Sequence, residues 1–464
     1  MATSRAPLMV ASAEPYVSVE PSGLVQVRDR AGFVREGIDK LVRDATFGSP
    51  ETRQSAQFLI WEAAHELGIT SSSIHELYMA RGRGEVKGFT VPAMNIRGPT
   101  YDVARAAFRA AKKRQVGALI FELAKSEMEY TQQPPAEYAT SILASAIKEE
   151  WNQPLFIQGD HFQFNAKRYA DNPTKETDGI RALIKEAIGA GFYNIDIDAS
   201  TLVNLAEPTV DRQQYINSQL TAELTHLIRT LQPQRVNISI GGEIGEVGKK
   251  NSTAQELRAY LNQYKTLLKT RGPTMPGVSK VSIQTGTHHG GVVGKDGKVL
   301  NVEVDFATLK DLSEVCVKEY ALAGCVQHGA STLPDELFHK FPEVGTSEIH
   351  LATGFQNAFF DHADFPADLK TRIYQHLEKA HADENTGGIS REQFYYKTRK
   401  KAFGPFKREL WDLPEDHKKK VMGHLEDRFG FLYEQLKVTN TKAIVAKHVV
   451  PVRTQRPPPT PLKP

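Results

Sequence analysis

The sequence predicts an α/β protein whose main part is a closed parallel (β/α)8 (TIM) barrel, with an N-terminal helical extension and a C-terminal helical region. Between residues 87 and 362, eight short apolar runs alternate with longer amphipathic segments. The runs are too apolar to face water, which is typical of parallel strands covered on both faces. The count of eight disfavours the alternative fold, a doubly wound open sheet. The predicted strands are 89–93, 118–123, 154–158, 194–198, 236–240, 280–284, 324–327 and 348–353.

The length of 464 residues exceeds what one barrel of about 250 residues needs, and the excess falls at both ends of the chain. We expect the helical extension to serve packing or oligomerisation and not chemistry. The predicted units are a flexible leader at 1–30, a helical N-terminal extension at 31–86, the barrel at 87–362, a C-terminal helical region at 363–450 and a Pro-rich tail at 451–464.

Three helices are predicted before the barrel. An apolar face that includes Phe33 and Ile38 defines the first, and Ser49-Pro50 supplies a cap and a first-turn proline for the second, which ends at Gly68. The capping-box spacing of 73–76 begins the third. Within the barrel, the connecting helices are predicted at 100–114, 135–150, 176–190, 213–230, 253–270, 305–320 and near 334–341.

Composition excludes several classes of protein. Fifty-eight Lys and Arg against 55 Asp and Glu leave a formal charge of +3, which gives no argument for a nucleic-acid partner. No apolar stretch approaches the roughly 20 residues that span a bilayer, so no membrane partner is expected. Two cysteines, Cys316 and Cys325, are too few for a disulfide framework. We therefore expect a cytoplasmic protein with buried thiols.

Six of the predicted strands end in polar or metal-binding residues. In a closed barrel these strand ends meet at one rim, which is where barrel enzymes place their active sites. Three imidazoles and a carboxylate from separate strands suit a divalent ion such as zinc, which takes nitrogen and oxygen ligands. The residues are Asn95, Asp160-His161, Asp198, Glu243, His289 and His328.

Small residues follow two of these histidines, in His289-Gly290-Gly291 and in His328-Gly329-Ala330-Ser331. Such segments form tight turns with exposed backbone amides, which can cradle phosphate oxygens. The alternative is that they are ordinary turns between a strand and a helix.

Five motifs, in order along the chain, resemble those of the class II, metal-dependent fructose-bisphosphate aldolases. The resemblance covers about 87–355, and 399–405 is similar to the C-terminal segment of that family. It implies the (β/α)8 fold, a lyase activity and a place in carbohydrate metabolism and glycolysis. The motifs are Phe89-Thr90-Val91-Pro92-Ala93-Met94-Asn95, Pro154-Leu155-Phe156-Ile157-Gln158-Gly159-Asp160-His161, Gly242-Glu243-Ile244-Gly245, Gly286-Thr287-His288-His289-Gly290 and Gln327-His328-Gly329-Ala330-Ser331.

The resemblance also implies a metal centre. Zn²⁺ would be held by His161, His289 and His328, with Glu243 at the position of a further metal-binding carboxylate. A second divalent ion or a monovalent cation stays open as an additional cofactor. Asp160 would exchange a proton with the C4 oxygen of a ketose phosphate while the zinc ion stabilises the enediolate left by C3–C4 cleavage.

The remaining implied residues would contact the substrate. Gly290, Gly329, Ala330 and Ser331 fall where the family cradles a phosphate. Arg399 matches an arginine that a neighbouring subunit supplies, so the resemblance implies a homodimer or higher homo-oligomer. The expected substrate-binding residues are Asn95, Asp198, Gly290, Gly329, Ala330, Ser331, Thr353 and Arg399.

The sequence departs from the family pattern at three places. The His-x-Asp-His motif reads Gln158-Gly159-Asp160-His161, without its first histidine. The catalytic glutamate of the mobile loop has no clean counterpart, and Glu246 is the nearest candidate. An Asn-x-Asp-Thr segment at the eighth strand reads His350-Leu351-Ala352-Thr353, which keeps only the threonine that can hold a phosphate.

Three functions are therefore weighed. The leading hypothesis is a zinc-dependent aldolase that cleaves or forms the C3–C4 bond of a ketose phosphate such as fructose 1,6-bisphosphate. A zinc-dependent sugar-phosphate epimerase on the same barrel is favoured by the missing loop glutamate. A non-catalytic aldolase-like binding protein is the third, and the retained histidines and carboxylates argue against it.

Overall fold

The predicted barrel is confirmed in the computed structural model, which describes residues 10–20, 23–245, 250–286, 292–294, 299–300, 303–330, 332–385 and 387–459. Its eight strands pair in parallel in chain order, and the last pairs with the first in the register Glu348↔Val91, so the sheet closes. The strands are β1 (Val91–Asn95), β2 (Ile120–Ala124), β3 (Leu155–Gln163), β4 (Asn194–Asp198), β5 (Ser239–Glu243), β6 (Lys280–Ile283), β7 (Cys325–Gln327) and β8 (Glu348–Leu351).

Helices cover the outside of the sheet and both ends of the chain. In the N-terminal extension, Ser49 accepts a hydrogen bond from the Thr52 amide, as its predicted cap position requires. The α-helices of the described residues are Arg30–Gly32, Ile38–Phe47, Pro50–Glu66, His75–Gly82, Thr100–Lys113, Lys125–Thr131, Pro135–Lys148, Ala166–Asp171, Pro173–Gly189, Val210–Leu231, Ala254–Arg271, Phe306–Tyr320, Lys340–Glu343, Thr353–Phe360, Ala367–Ala380, Arg391–Thr398, Lys407–Trp411, Glu415–Gln435 and Lys442–His448.

Short elements complete the structure. Two antiparallel pairs join Val17–Val19 with Val25–Val27 and Val292–Val293 with Val299–Leu300, and Ser71–Ser72 adds to the beginning of β3. One π-helical turn covers Phe33–Gly37. The 3₁₀ turns are Ser200–Leu202, Asp335–Leu337, Ala382–Glu384 and Arg399–Ala402.

The leader differs from the flexible segment that the sequence predicted. From residue 10 onward its described part contains the Val17–Val19 and Val25–Val27 hairpin, and Val17 and Val25 are buried. The sequence reading gave too little weight to these valines, because a strand of three residues is too short for its alternation to be recognised.

Two contacts join the flanking regions to the barrel. The buried Arg81 guanidinium donates hydrogen bonds to the carbonyls of Phe89, Ala323, Gly345 and Thr346, which precede β1, β7 and β8. At the other end of the chain, the Thr90 amide donates to the Leu436 carbonyl at 2.9 Å, just after the helix Glu415–Gln435. The extension and the C-terminal region therefore close the end of the barrel where the strands begin.

The tail is extended and packs against the N-terminal extension. The Trp61 indole donates to the Thr454 carbonyl at 3.2 Å, and the Arg456 guanidinium lies 3.4 Å from the centre of the Trp61 ring. Among the described residues, no helix combines the length and apolar character needed to cross a membrane.

Candidate active site

A β-bulge in β3 places two consecutive side chains on the inside of the barrel. Gly159 pairs with Ile195 and Phe162 with Ile197, so Asp160 and His161 together oppose one residue of β4. His161 has the left-handed φ of +43° that this bulge imposes. A Cβ on Gly159 would lie 2.4 Å from Phe162, so only glycine fits beside that ring. The bulge explains how Asp160 and His161 can serve one site.

His161 lies among the carboxylates at the ends of β4 and β5. Its Nδ1 is 2.9 Å from Asp198 Oδ2 and 3.2 Å from Glu243 Oε2. One candidate donor atom from each of these three residues lies within 4.8 Å of the other two, and both carboxylates are buried. The predicted meeting of β3, β4 and β5 side chains at one rim is therefore present.

A second group of donors shares His161 and brings in β7 and β8. Donor atoms of Asp160, His161, His328 and His350 all lie within 4.8 Å of one another. The His328 ring centre is 4.2 Å from that of His161 and 4.2 Å from that of His350. Sequence reasoning missed His350 as a site residue, because it lies inside the eighth predicted run, 348–353, and the other candidates lie at or after the ends of theirs.

Several expected site residues fall outside the described part of the chain. Glu246, His289, Gly290 and Ser331 lie among them, so their roles stay predictions. The remaining members of the expected set can be placed.

A cavity of about 350 Å³ opens at the rim where the strands end. Of the expected residues, Asn95, Asp160, His161, His328, Gly329 and Thr353 line it, whereas Ala330 is buried outside its lining. Four basic side chains that sequence reasoning missed also line the cavity, and they are Arg97, Lys125, Arg168 and Lys400.

Arg399, which is expected to contact the substrate of a neighbouring subunit, lies away from the cavity lining of its own chain, and that role stays a prediction. Its guanidinium pairs with Asp361 at 2.6 and 2.9 Å and lies 4.9 Å from the Tyr396 ring centre. Its neighbour Lys400 faces the cavity instead, 5.7 Å from the ring centre of Tyr130. The 3₁₀ turn Arg399–Ala402 decides which of the two basic residues faces the site.

The catalytic candidate Asp160 is held by two donors. Asn95 Nδ2 donates to its Oδ2 at 2.8 Å, and His350 Nδ1 lies 3.0 Å from its Oδ1. Asn95 in turn donates to Glu127 at 2.8 Å, and Glu127 accepts from Arg97 at 2.7 Å. The carboxylate orientation is therefore set by side chains of β1 and β8, two strands that do not pair with β3.

Burial and neighbouring charges shift the pKa values of the site residues, in several cases in opposite directions. Burial raises the pKa of Asp160, but the adjacent His161 and His350 outweigh it and hold that pKa well below its usual range. Burial, reinforced by Asp198, raises the pKa of Glu243 to about 7. Burial also opposes a charge on His161, yet Asp160 and Glu243 raise the pKa of its imidazole. The two histidines therefore favour the ionised form of Asp160.

A layer of buried charges lies beneath the cavity. Lys280 Nζ, from β6, donates to Asp196 Oδ2 at 3.0 Å, to Gln158 Oε1 at 2.9 Å and to Glu348 Oε1. Burial lowers the pKa of Lys280, but Asp196 and Glu348 more than offset this and raise it. The barrel interior is thus cross-linked by charged hydrogen bonds between β3, β4, β6 and β8.

The sequence profile of the family described as "Fructose-bisphosphate aldolase class-II" matches residues 82–405. The chain belongs to this family. The resemblance stated from the five motifs is thereby confirmed, and the family generally uses a divalent metal and acts on sugar phosphates. The comparison with curated proteins found no similar sequence.

Solved structures of low sequence identity are similar to this chain, and the first of the three below shares its fold. A probable tagatose 6 phosphate kinase from Sinorhizobium meliloti 1021 is similar at 16% identity and a TM-score of 0.51, over 77% of this chain and 99% of that chain. A putative fructose-1,6-biphosphate aldolase from Coccidioides immitis is 16% identical, with a TM-score of 0.44, over 79% and 96%. The aldolase of Campylobacter jejuni is 15% identical, with a TM-score of 0.47, over 80% and 96%.

Proposed function

We propose that this protein is a zinc-dependent aldolase that cleaves or forms the C3–C4 bond of a ketose phosphate such as fructose 1,6-bisphosphate. The observation that carries the proposal is the bulge that turns the base candidate Asp160 and the ligand candidate His161 toward the same cavity. We extend the proposal to a cytoplasmic homo-oligomer that acts in carbohydrate metabolism, with glycolysis as the expected context.

The donor set fits a divalent metal ion. His161 and His328 would hold it, with Asp198 and Glu243 as neighbouring carboxylates, and imidazole nitrogen with carboxylate oxygen is the ligand chemistry that zinc takes. The predicted ligand His289 would complete the set. When bound, such an ion supplies a Lewis acid that stabilises negative charge developing on substrate oxygens.

Asp160 would take the proton of the C4 hydroxyl during cleavage and return it during condensation. Its low pKa keeps the accepting form populated at neutral pH, and Asn95 and His350 fix the direction in which it accepts. Proton transfer by a positioned carboxylate contributes about 10²–10⁴-fold to a rate.

The mouth of the cavity suits an anionic substrate. Among the described residues, neither Lys400 nor Arg168 has a carboxylate within 4.0 Å of its charged nitrogens. Gly329 and Thr353 line the cavity after β7 and β8, where the predicted phosphate cradle lies. Phosphate oxygens would therefore meet both backbone amides and uncompensated cations.

The test is turnover of a panel of ketose phosphates by the purified protein with its metal content measured. An aldolase releases two shorter products, whereas an epimerase returns a stereoisomer of the same length. We expect a chelator to abolish cleavage and added Zn²⁺ to restore it. Metal-free protein with full cleavage activity would exclude the proposal, and stabilisation by zinc without any turnover would favour the binding-protein alternative.

Replacing Lys400 should weaken substrate binding. We expect Lys400→Met to raise KM for a ketose phosphate about tenfold, or ~1.4 kcal/mol, with kcat nearly unchanged, because the partly buried ammonium binds a remote anionic group. The matched control is Lys401→Met, since Lys401 pairs with Glu384 instead of lining the cavity. Equal KM values for the two variants would remove Lys400 from substrate binding.

A further inference from the structure

We infer that His350 is a positioning residue that acts through Asp160. The imidazole from β8 holds the β3 carboxylate in the orientation needed for proton transfer. The inference rests on the proposed function, because it takes Asp160 as the group that exchanges the proton.

His350 bridges two buried carboxylates. Its Nδ1 lies 3.0 Å from Asp160 Oδ1 and its Nε2 lies 2.7 Å from Glu348 Oε1. Each ring nitrogen of His350 therefore lies within hydrogen-bond distance of a carboxylate oxygen, which is an acceptor when ionised. Because both ring nitrogens lie against carboxylate oxygens of the protein, this geometry favours positioning over metal ligation.

Glu348, the carboxylate that contacts His350 Nε2, is held rigidly by several donors. Glu348 Oε1 accepts from Gln158 Nε2 at 2.9 Å and from Lys280, and Glu348 Oε2 accepts from the Tyr78 hydroxyl. The Glu348 side chain is fully buried and that of His350 is 4% exposed. Glu348 therefore holds the His350 ring in place, and the ring can in turn hold Asp160.

Asp160, the carboxylate that contacts His350 Nδ1, is held in one orientation. Its two oxygens have different donors, His350 for Oδ1 and Asn95 for Oδ2. Donors on both oxygens define the plane of the carboxylate, and the cavity receives the remaining lone pairs. Loss of the His350 donor would leave Oδ1 with the more distant His161 Nε2, at 3.5 Å, and allow the carboxylate to rotate.

Two residues at which the sequence departs from the family pattern, Gln158 and His350, both contact Glu348. Gln158 stands where the pattern has the first histidine of His-x-Asp-His, and His350 stands where it has the asparagine of Asn-x-Asp-Thr. Both side chains contact Glu348 Oε1. The imidazole that is absent from β3 is thus present on β8, beside the same aspartate.

The experiment compares His350→Ala with His350→Asn in the full-length, metal-loaded protein. An asparagine amide occupies the region of the imidazole Nδ1 and can still donate to Asp160. We expect His350→Ala to lower kcat about 10²-fold with KM within about twofold, since misplacement of a catalytic group by about 1 Å has that effect. His350→Asn should recover about tenfold, and the zinc content per chain should be unchanged in both.

A double-mutant cycle with Asp160→Asn tests the route of the effect. If His350 acts through Asp160, adding His350→Ala to Asp160→Asn should lower kcat by less than a further factor of about two. If the two residues act independently, the losses in kcat of the two single variants should multiply. Loss of zinc from His350→Ala would identify a ligand and overturn the inference. Equal kcat for the alanine and asparagine variants would also overturn it.

A crystal structure of His350→Ala separates this inference from the proposed function. Failure of the wild-type protein to turn over any ketose phosphate would contradict the proposed function. The orientation of Asp160 can still be measured in that case. A carboxylate rotated away from Asn95 supports the positioning role, and an unmoved carboxylate contradicts it.

Discussion

Asp160→Asn is expected to retain its zinc and to lose about 10²–10⁴-fold in kcat. The substitution preserves the size of the side chain and removes its capacity to accept a proton. His161 and His328, the described histidines that would hold the metal, are unchanged, so the ligand set stays intact. Steady-state cleavage of the best ketose phosphate and zinc analysis of the same preparation measure the two outcomes together.

The matched control is Asp171→Asn, which changes an exposed carboxylate at the end of the helix Ala166–Asp171. Its kcat should equal that of the wild-type protein. Cleavage by Asp160→Asn within about threefold of wild type would remove Asp160 from the chemistry. Loss of zinc from that variant would instead make Asp160 part of the metal centre.

Lys280→Met is expected to destabilise the protein by about 3–5 kcal/mol, because it removes one partner of a buried ion-pair network. Asp196 and Glu348 would stay buried without their shared cation, with Glu348 fully inaccessible to solvent. Equilibrium unfolding in guanidinium chloride, followed by circular dichroism, gives the change in midpoint.

The double variant Lys280→Met/Glu348→Gln should recover part of this loss, because it removes a carboxylate together with its cation. Lys437→Met is the surface control, since Lys437 is half exposed and lies 3.9 Å from Glu343. It should change stability by less than about 1 kcal/mol. A Lys280→Met midpoint equal to that of Lys437→Met would show that the buried network contributes nothing to stability.

The barrel could be predicted from sequence because buried parallel strands are continuous apolar runs. The fourth strand, Asn194–Asp198, has the predicted bounds, while β3 continues five residues past its predicted end. That extension contains the bulge, which depends on the single Gly159 and on a ring three residues later. No periodicity reports such a local change of register.

The site was predictable where a residue follows a strand along the chain. Asp160, His161, Asp198, Glu243 and His328 meet as that rule requires. Arg97 and Lys125 also follow strands, β1 and β2, and were missed all the same. Arg168 and Lys400 could not be found by this rule, because a helix and a 3₁₀ turn bring them to the cavity mouth. Whether Arg399 or Lys400 lines the cavity of this chain depends on the pairing of Arg399 with Asp361, a contact 38 positions apart in the chain.

The contacts of Arg81 indicate that the folding unit of this protein extends beyond the barrel. The family match begins at residue 82, one residue after the guanidinium that donates to the carbonyls before β1, β7 and β8. The match ends at 405, before Leu436, whose carbonyl accepts from Thr90. A fragment cut to 82–405 would remove the Arg81 donor from the carbonyls of Phe89 and Ala323 and the Leu436 acceptor from the Thr90 amide, at a cost of about 1–3 kcal/mol for each buried group left unpaired. We therefore expect the barrel to depend on its flanking segments and the whole chain to unfold as one cooperative unit.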